Sequence, residues 1–273
     1  MPARKGKHVP IELSLALHSD AGYNKDGKTT FGALAICTTD YNDGILNSGI
    51  SRFTSKDFAR ALRDNLVTDL TAQFGEFGKR YLWDRNYSET RLPEVPSAIL
   101  EMLSHQNFPD MRIAQDPLGK FYIARSIYKT ILRFVNSNHG TRYVVQPLAP
   151  QNFSVTQNQG VALLSWTAQL DKTEPSARPT SYIIYKAEGQ GGFDNGTIVN
   201  TTRCQMQLKP GKLYHFKVAA VNAGGESFTT ETLSVLYNPA ASKSVLIGNN
   251  FHRLASPQAA DDEQKQGFDL NQD

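Results

Sequence analysis

Two polar residues stand where an α/β protein could build a catalytic site. His18 follows the apolar run 13–17, and Glu101 follows the apolar run 95–100. In an open α/β sheet, catalytic and ligand-binding groups collect at the carboxyl ends of the strands. A histidine can bind a metal ion or move a proton near neutral pH, and a glutamate can act as a general base. From position alone, each residue is either a site residue or an ordinary loop residue or helix cap.

Two further residues near Glu101 carry groups that could touch a substrate. His105 lies four residues after Glu101, where it either lines a cleft or is a loop histidine bonded to backbone; we favour the loop histidine. Arg91 precedes the Glu101 strand and either contacts a substrate carboxylate or is a solvated loop arginine.

The first half of the chain has the pattern of an α/β domain. Apolar runs at 9–17, 32–39 and 95–100 predict buried strands. Apolar residues spaced at helical intervals predict helices over 55–74 and 117–135. Strands that alternate with helices indicate a mostly parallel sheet with flanking helices, here over residues 1–140.

The second half changes to short alternating runs separated by Gly, Pro, Asn and Asp, which predicts an all-β sandwich over residues 148–238. Trp166 is the large residue expected between two sheets, and Tyr214 stands where a tyrosine corner would close a Greek key. This segment resembles a fibronectin type III domain. The resemblance rests on Pro150, Trp166, Tyr182, Tyr185, Leu208, Tyr214, Val218, Ala220, Val221, Asn222, Gly225 and Ser227.

Composition excludes several classes of protein. The 29 Lys and Arg exceed the 26 Asp and Glu by three, and Arg4, Lys5 and Lys7 account for that excess. No interior basic stripe remains, so we expect no nucleic-acid partner. The sequence has no apolar run long enough to cross a membrane, and we expect no signal peptide in the chain. Its two cysteines lie far apart in the chain, so a disulfide framework is not expected.

The segments around His18 and Glu101 resemble a known enzyme family. LSLALHSDAG is similar to the Ser-x-His-x-Asn-Ala segment of the zinc-dependent N-acetylmuramoyl-L-alanine amidases of the amidase 3 family. VPSAILEMLSHQNFPDM is similar to their Pro-x-x-Leu-x-Glu motif and the loop after it, and the longer segment 83–111 looks like the variant found in multidomain envelope proteins of Bacteroidetes-like bacteria. The resemblance covers roughly residues 7–136.

The resemblance implies a role for each candidate. His18 would be a zinc ligand, and Glu101 would take a proton from the zinc-bound water and pass it to the leaving amine. Asp20 stands where the family usually has Asn. Together with Arg91 and His105, which their positions suggest, Asp20 is a candidate for substrate binding.

The family's other two zinc ligands lie well upstream of the His18 position, where this sequence has only seventeen residues. His8 and Glu12 cannot replace them, because an extended chain would put them about 33 Å and about 20 Å from His18. We therefore expect an α/β domain truncated at its amino terminus and an incomplete zinc site.

Residues 243–273 are expected to be a disordered tail or the start of a truncated third domain. The apolar run 245–247 predicts a strand, and VLIGNNFHRLASP resembles the opening of a golvesin-like C-terminal domain.

These resemblances imply a secreted or periplasmic cell-wall hydrolase that acts on peptidoglycan or another envelope glycan. One alternative is a non-catalytic envelope-binding or scaffold protein that retains the amidase fold. A lesser alternative is a polysaccharide-degrading enzyme of the type labelled xanthan lyase.

Overall fold

The structure, a computed structural model, describes residues 11–248, 255–262 and 264–269. The chain divides into two compact units, one made of residues 1–141 and 251–273 and the other of residues 142–250. Each unit has its own hydrophobic core.

The first unit contains a four-stranded sheet and four helices. Its strands are β1 (Ser14–Asp20), β2 (Ala33–Cys37), β3 (Lys79–Asp84) and β4 (Ser97–Ser104). Its helices are α1 (Phe53–Phe74), α2 (Ser88–Arg91), α3 (Phe108–Gln115) and α4 (Pro117–Asn138).

The sheet is mixed, with the strand order β1-β4-β2-β3. The β1–β4 and β2–β3 pairings are parallel, and the β2–β4 pairing is antiparallel. The sequence predicted a mostly parallel sheet, and the antiparallel pairing departs from that expectation. A parallel return needs a crossover connection, usually a helix. The loop at 21–32 between β1 and β2 contains no helix, so β2 runs antiparallel to β1 and to its parallel neighbour β4.

The core of this unit forms where helices cover the sheet. Every residue of β2 is buried. Helix α1 buries one face against it, and α4 packs beside α1 through Ile123 and Ile127. The buried apolar residues of α1 recur at helical spacing: Phe58, Leu62, Leu66 and Leu70. Asp116 begins α4 by accepting the Leu118 backbone N–H at 2.8 Å. The periodicity that predicted these two helices therefore corresponds to their buried faces.

A buried carboxylate holds the end of the sheet that carries His18 and Glu101. Asp110, at the start of α3, is fully buried. It accepts backbone N–H groups from Phe31 at 2.8 Å, Gly32 at 3.0 Å and Ser104 at 2.8 Å. One side chain therefore fixes the start of β2 and the end of β4 together.

The second unit is a sandwich of two sheets. One sheet contains β5 (Gln151–Asn158), β6 (Val161–Thr167) and β9 (Arg203–Gln207). The other contains β7 (Ser181–Glu188), β8 (Thr197–Val199), β10 (Leu213–Asn222), β11 (Gly225–Glu226) and β12 (Leu233–Leu236).

The sandwich core forms around Trp166, which is 4% exposed and lies 5.4 Å from the Tyr182 ring centroid. The buried Tyr214 hydroxyl accepts the Lys209 backbone N–H at 3.3 Å, as a tyrosine corner requires. Both residues therefore occupy the places that the alternating pattern indicated.

The carboxyl-terminal region differs from expectation at one point. Val245, Leu246 and Ile247 were predicted to form a strand, but they are 86–91% exposed and belong to no strand. Three apolar residues without a neighbouring strand have no ladder to join. Strands β13 (Gln258–Asp261) and β14 (Gln266–Asp269) form a hairpin in the first unit.

The hairpin contacts α3. The Phe268 ring lies 5.2 Å from that of Phe108, and Asp261 pairs with Arg112 at 3.3 Å. Among the described residues, no helix combines the length and apolar character that a membrane crossing requires.

Candidate functional site

The parallel pairing of β1 with β4 places His18 directly opposite Glu101. The Nδ1 atom of His18 lies 3.6 Å from Oε1 of Glu101. Both residues lie inside their strands, since β1 continues to Asp20 and β4 to Ser104, whereas the apolar runs suggested that the strands end just before them. Adjacent strands thus bring an imidazole and a carboxyl group together, although 83 positions separate them in the sequence.

Glu101 occupies an environment that disfavours its charge. The residue is 9% exposed in a buried strand, and its Oε2 atom has no hydrogen-bond partner among the described residues. Burial, with the nearby charge of Asp20, raises the pKa of the carboxyl group; His18, Arg80 and His105 act in the opposite direction. A buried carboxyl group with a raised pKa in contact with a histidine is suited to general acid–base chemistry.

A second carboxylate reaches His18 from helix α2. Oε1 of Glu89 lies 3.9 Å from Nε2 of His18, whereas Glu101 approaches Nδ1. The Oε2 atom of Glu89 accepts the Ser88 hydroxyl at 2.9 Å. The pKa of Glu89 is lowered by hydrogen bonds from its own backbone N–H and from Ser88, and by the charge of His18. Residue-by-residue reasoning from the sequence missed Glu89, because a four-residue helix has no detectable periodicity.

Helix α2 is held in place by a buried arginine. Arg52 is 2% exposed and donates to the carbonyl oxygens of Thr90 at 3.2 Å and Arg91 at 2.9 Å. The Thr90 carbonyl also accepts the Ser97 hydroxyl at 3.1 Å. The backbone that carries Glu89 is therefore fixed to β4 and to the start of α1.

Asp20 lies at the same edge of the sheet and is engaged in an ion pair. Its Oδ2 atom lies 2.7 Å from Nη2 of Arg80, whose guanidinium lies 4.1 Å over the Phe31 ring. The Asp20 backbone carbonyl accepts the His105 backbone N–H at 3.0 Å. Asp20 therefore ties β3 and the loop after β4 to the end of β1. Arg80 was not a sequence candidate, since nothing in the alternating pattern of β3 distinguishes it.

The other two candidates lie at different distances from this cluster. His105 is exposed, and its Nδ1 atom lies 3.2 Å from the Ser19 hydroxyl, so it joins the edge formed by β1. Arg91 donates to Asn86 at 2.9 Å and lies 5.6 Å over the Tyr41 ring. The structure therefore groups His18, Glu101, Asp20 and His105, and directs the Arg91 guanidinium to the loop before α2.

The donors present do not complete the zinc site of the resembling family. Within residues 11–248, 255–262 and 264–269, no group of three or more His, Cys, Asp or Glu side chains could hold a metal ion. Glu12 pairs with His139 at 2.9 Å, and His8 lies outside the described residues. A catalytic zinc site needs three protein donors within about 2 Å of the ion. The described residues offer His18 with one carboxylate beside each ring nitrogen.

Comparison with known proteins identifies the second unit. Residues 148–235 match the fibronectin type III domain family. No curated protein matches the chain.

The solved structures that are similar include "Myokine structure", with 21% identity and a TM-score of 0.29 over 34% of this chain and 99% of that one. The twitchin kinase region from C. elegans has 21% identity and a TM-score of 0.31, over 42% of this chain and 21% of that one. "Structure of FN3tt mut" has 23% identity and a TM-score of 0.28, over 33% and 94%. Residues 148–235 of this chain are a fibronectin type III domain.

Proposed function

We propose that the first unit is part of an N-acetylmuramoyl-L-alanine amidase of the zinc-dependent amidase 3 type, in which Glu101 is the general base. The observation that carries this proposal is the register of β1 with β4, which sets the buried Glu101 carboxyl beside His18 at 3.6 Å. The resemblance of the segments around His18 and Glu101 to the amidase motifs supports the choice of substrate.

The proposed reaction is hydrolysis of the amide between the lactyl group of muramic acid and L-alanine. Glu101 accepts a proton from the attacking water as the carbon–oxygen bond forms, and returns it to the amine as the carbon–nitrogen bond breaks. The described donors do not assemble a three-ligand zinc site, so no step is assigned here to the metal.

The fibronectin type III domain is proposed to act as a spacer or adhesion module in this protein. We further propose that the protein works in the cell envelope, outside the cytoplasm, where peptidoglycan or a related glycan is its partner. We also propose, from the resemblance of VLIGNNFHRLASP, that residues 243–273 begin a golvesin-like domain.

A second candidate function is a non-catalytic envelope-binding protein that keeps the amidase fold. The observation that favours it is the lack of a three-donor metal group among the described residues. Such a protein would bind the cell wall without cleaving it.

Product analysis of digested peptidoglycan separates the two candidates. The 273-residue chain is incubated with purified cell wall and zinc, and the soluble products are identified by mass spectrometry. The amidase proposal predicts free stem peptides that begin with L-alanine, and their loss in Glu101→Gln. Glu76→Gln, at an exposed loop position, is the matched control and retains activity. Sedimentation of the chain with the wall without any peptide release would favour the binding protein instead.

A further inference from the structure

A cavity lies inside the first unit, where the loop at 21–32, helix α3 and the carboxyl-terminal hairpin meet. Its volume is about 700 Å³. Small-molecule sites in proteins commonly have volumes of about 300–1,000 Å³, so this cavity has the size of a ligand site. Neither His18 nor Glu101 lines it, and it is therefore separate from the proposed amidase site.

Aromatic rings form two walls of the cavity. Phe74, at the end of α1, and Phe268, on β14, both line it. The Phe74 ring centroid lies 6.1 Å from that of Tyr122, and the Phe268 centroid lies 5.2 Å from that of Phe108. Because a second ring supports each lining ring, the walls offer firm apolar surface to the hydrocarbon part of a ligand.

The fold holds the polar wall, which residues 28–30 form. Asp26 accepts the Thr29 backbone N–H at 3.0 Å. The Thr29 carbonyl oxygen accepts the side-chain amide of Asn107 at 3.0 Å, and Asn107 is buried. The Thr30 hydroxyl accepts a backbone N–H from the loop before β3 at 2.8 Å. A wall that is already fixed loses little conformational freedom when a ligand binds, which favours affinity.

A lysine supplies the positive charge that a ligand could use. Lys28 lines the cavity and forms no ion pair with any carboxylate in the described part of the chain. The neighbouring Asp26 is occupied by backbone N–H groups and by a threonine hydroxyl. The other lining cation, Arg112, is paired with Asp261 at 3.3 Å. A carboxylate on a ligand would therefore find its partner in Lys28.

An aspartate supplies a negative charge on the same cavity. Asp116 lines it and caps α4, accepting the Leu118 backbone N–H through Oδ1 at 2.8 Å. Its Oδ2 atom accepts no hydrogen bond from the residues that the structure describes. One carboxylate oxygen is thus free to accept from an ammonium group while the other keeps the cap.

We propose that this cavity binds an α-amino acid with a large apolar side chain. Lys28 pairs with the carboxylate of the ligand, and Asp116 accepts from its ammonium group. The apolar side chain contacts Phe74 and Phe268. The proposal uses neither a metal ion nor amide hydrolysis, so it stands or falls independently of the proposed function.

Calorimetric titration of the 273-residue chain with three matched probes tests this site, and NMR chemical shifts locate it. L-Phenylalanine carries both charges, 3-phenylpropionate lacks the ammonium group, and phenethylamine lacks the carboxylate. We expect saturable binding of L-phenylalanine with shifts at Phe74 and Phe268. Each of the other two probes should bind about fivefold more weakly, because each loses one partly exposed ion pair.

Variants assign the two charges. Lys28→Met should weaken the binding of L-phenylalanine about fivefold and leave that of phenethylamine unchanged, since phenethylamine has no carboxylate. Asp116→Asn, which can still cap α4, should weaken L-phenylalanine and leave 3-phenylpropionate unchanged. Lys25→Met is the matched control, because Lys25 is exposed in the same loop but does not line the cavity.

Three results would overturn the site. They are the absence of L-phenylalanine binding, binding with shifts only outside the cavity, and equal affinities of the Lys28→Met and Lys25→Met variants for L-phenylalanine. Release of stem peptides from the cell wall has no bearing on these outcomes, so failure of the amidase proposal is distinguished from failure of this one.

Discussion

At the scale of single residues, Glu101 shows a conflict between stability and chemistry. Burial raises the pKa of this carboxyl group, and its Oε2 atom has no hydrogen-bond partner among the described residues. An ionised carboxyl group in such a place costs folding free energy, because desolvation disfavours its charge. An apolar or amide side chain at this position would avoid that cost.

Glu101→Gln is therefore predicted to raise the melting temperature at pH 7. The folded state holds the Glu101 proton more tightly than the unfolded state, whose pKa is near the ordinary value of 4.5. Stability must then fall as pH rises from about 4.5 through the raised pKa. The variant lacks this penalty, so its advantage should shrink at pH 4. Scanning calorimetry in zinc-free buffer, with Glu76→Gln as the control, measures the difference. A variant less stable than the wild type at pH 7 would contradict the account.

Part of this site could be predicted from the sequence. His18 and Glu101 were identified because each follows an apolar run, and the parallel pairing of β1 and β4 aligns them. Glu89 and Arg80 could not be found in this way. Glu89 depends on a single helical turn, and Arg80 depends on a long-range ion pair with Asp20 that no local pattern encodes.

At the scale of elements, Asp110 determines how the edge of the sheet is built. Three backbone N–H groups from two separate segments donate hydrogen bonds to its buried carboxylate. Without it, these donors would be buried and unsatisfied, which is far more costly than losing an exposed hydrogen bond.

We predict that Asp110→Ala destabilises the first unit by about 3 kcal/mol or more, since each buried unsatisfied donor costs about 1–3 kcal/mol. Asp116→Ala removes an exposed helix cap and should cost only about 1 kcal/mol. Urea denaturation followed by circular dichroism compares them. Equal losses in the two variants would show that Asp110 is not the anchor described here.

The approach of β2 to β3 depends on glycine. Gly32 has φ +83°, and a Cβ atom there would lie 1.8 Å from the Gly78 carbonyl oxygen. Gly49 has φ +84° but nothing within 4 Å of such an atom. A substitution at Gly49 therefore tests backbone strain without a steric clash.

Gly32→Ala should therefore destabilise the protein by about 3 kcal/mol, because backbone strain adds to a collision with backbone. Gly49→Ala should cost only about 1–2 kcal/mol from the positive φ. Thermal unfolding of both variants checks this difference. A Gly32→Ala protein as stable as Gly49→Ala would mean that the strands can separate without cost.

Elements with a clear apolar pattern were predictable, and elements without one were not. The predicted helices over 55–74 and 117–135 correspond to α1 and α4, because apolar residues recur at helical spacing along both. Strand β3 was missed, since KRYLWD mixes charged residues with apolar ones at the edge of the sheet. The antiparallel β2–β4 pairing was missed because it depends on the helix-free loop at 21–32.

At the scale of the whole molecule, the two units were separable in the sequence by a change of periodicity. The second unit was also the more predictable, because its Trp, Tyr and Gly residues stand at spacings that a sandwich requires. Its core is formed by residues of this unit, among them Trp166, Ile184 and Phe216.

Because this core is self-contained, residues 142–248 expressed alone should fold. Within that fragment, Trp166→Ala should cost about 3–5 kcal/mol through the cavity it leaves. Phe228→Ala is the control, since Phe228 is 72% exposed and its removal should change stability by less than about 0.5 kcal/mol. Circular dichroism in urea gives both values. A fragment without a cooperative transition would contradict the description of this unit.

The central claim is that Glu101, set beside His18, is the general base of an amidase. Steady-state hydrolysis of a soluble muramoyl-L-alanyl peptide by the 273-residue chain, in buffer that contains zinc, tests it most directly. The account predicts measurable turnover by the wild type and a fall in kcat of about 10²–10⁴-fold in Glu101→Gln, with the fold intact and Glu76→Gln unaffected. Undiminished turnover by Glu101→Gln, or no turnover by the wild type, would contradict it.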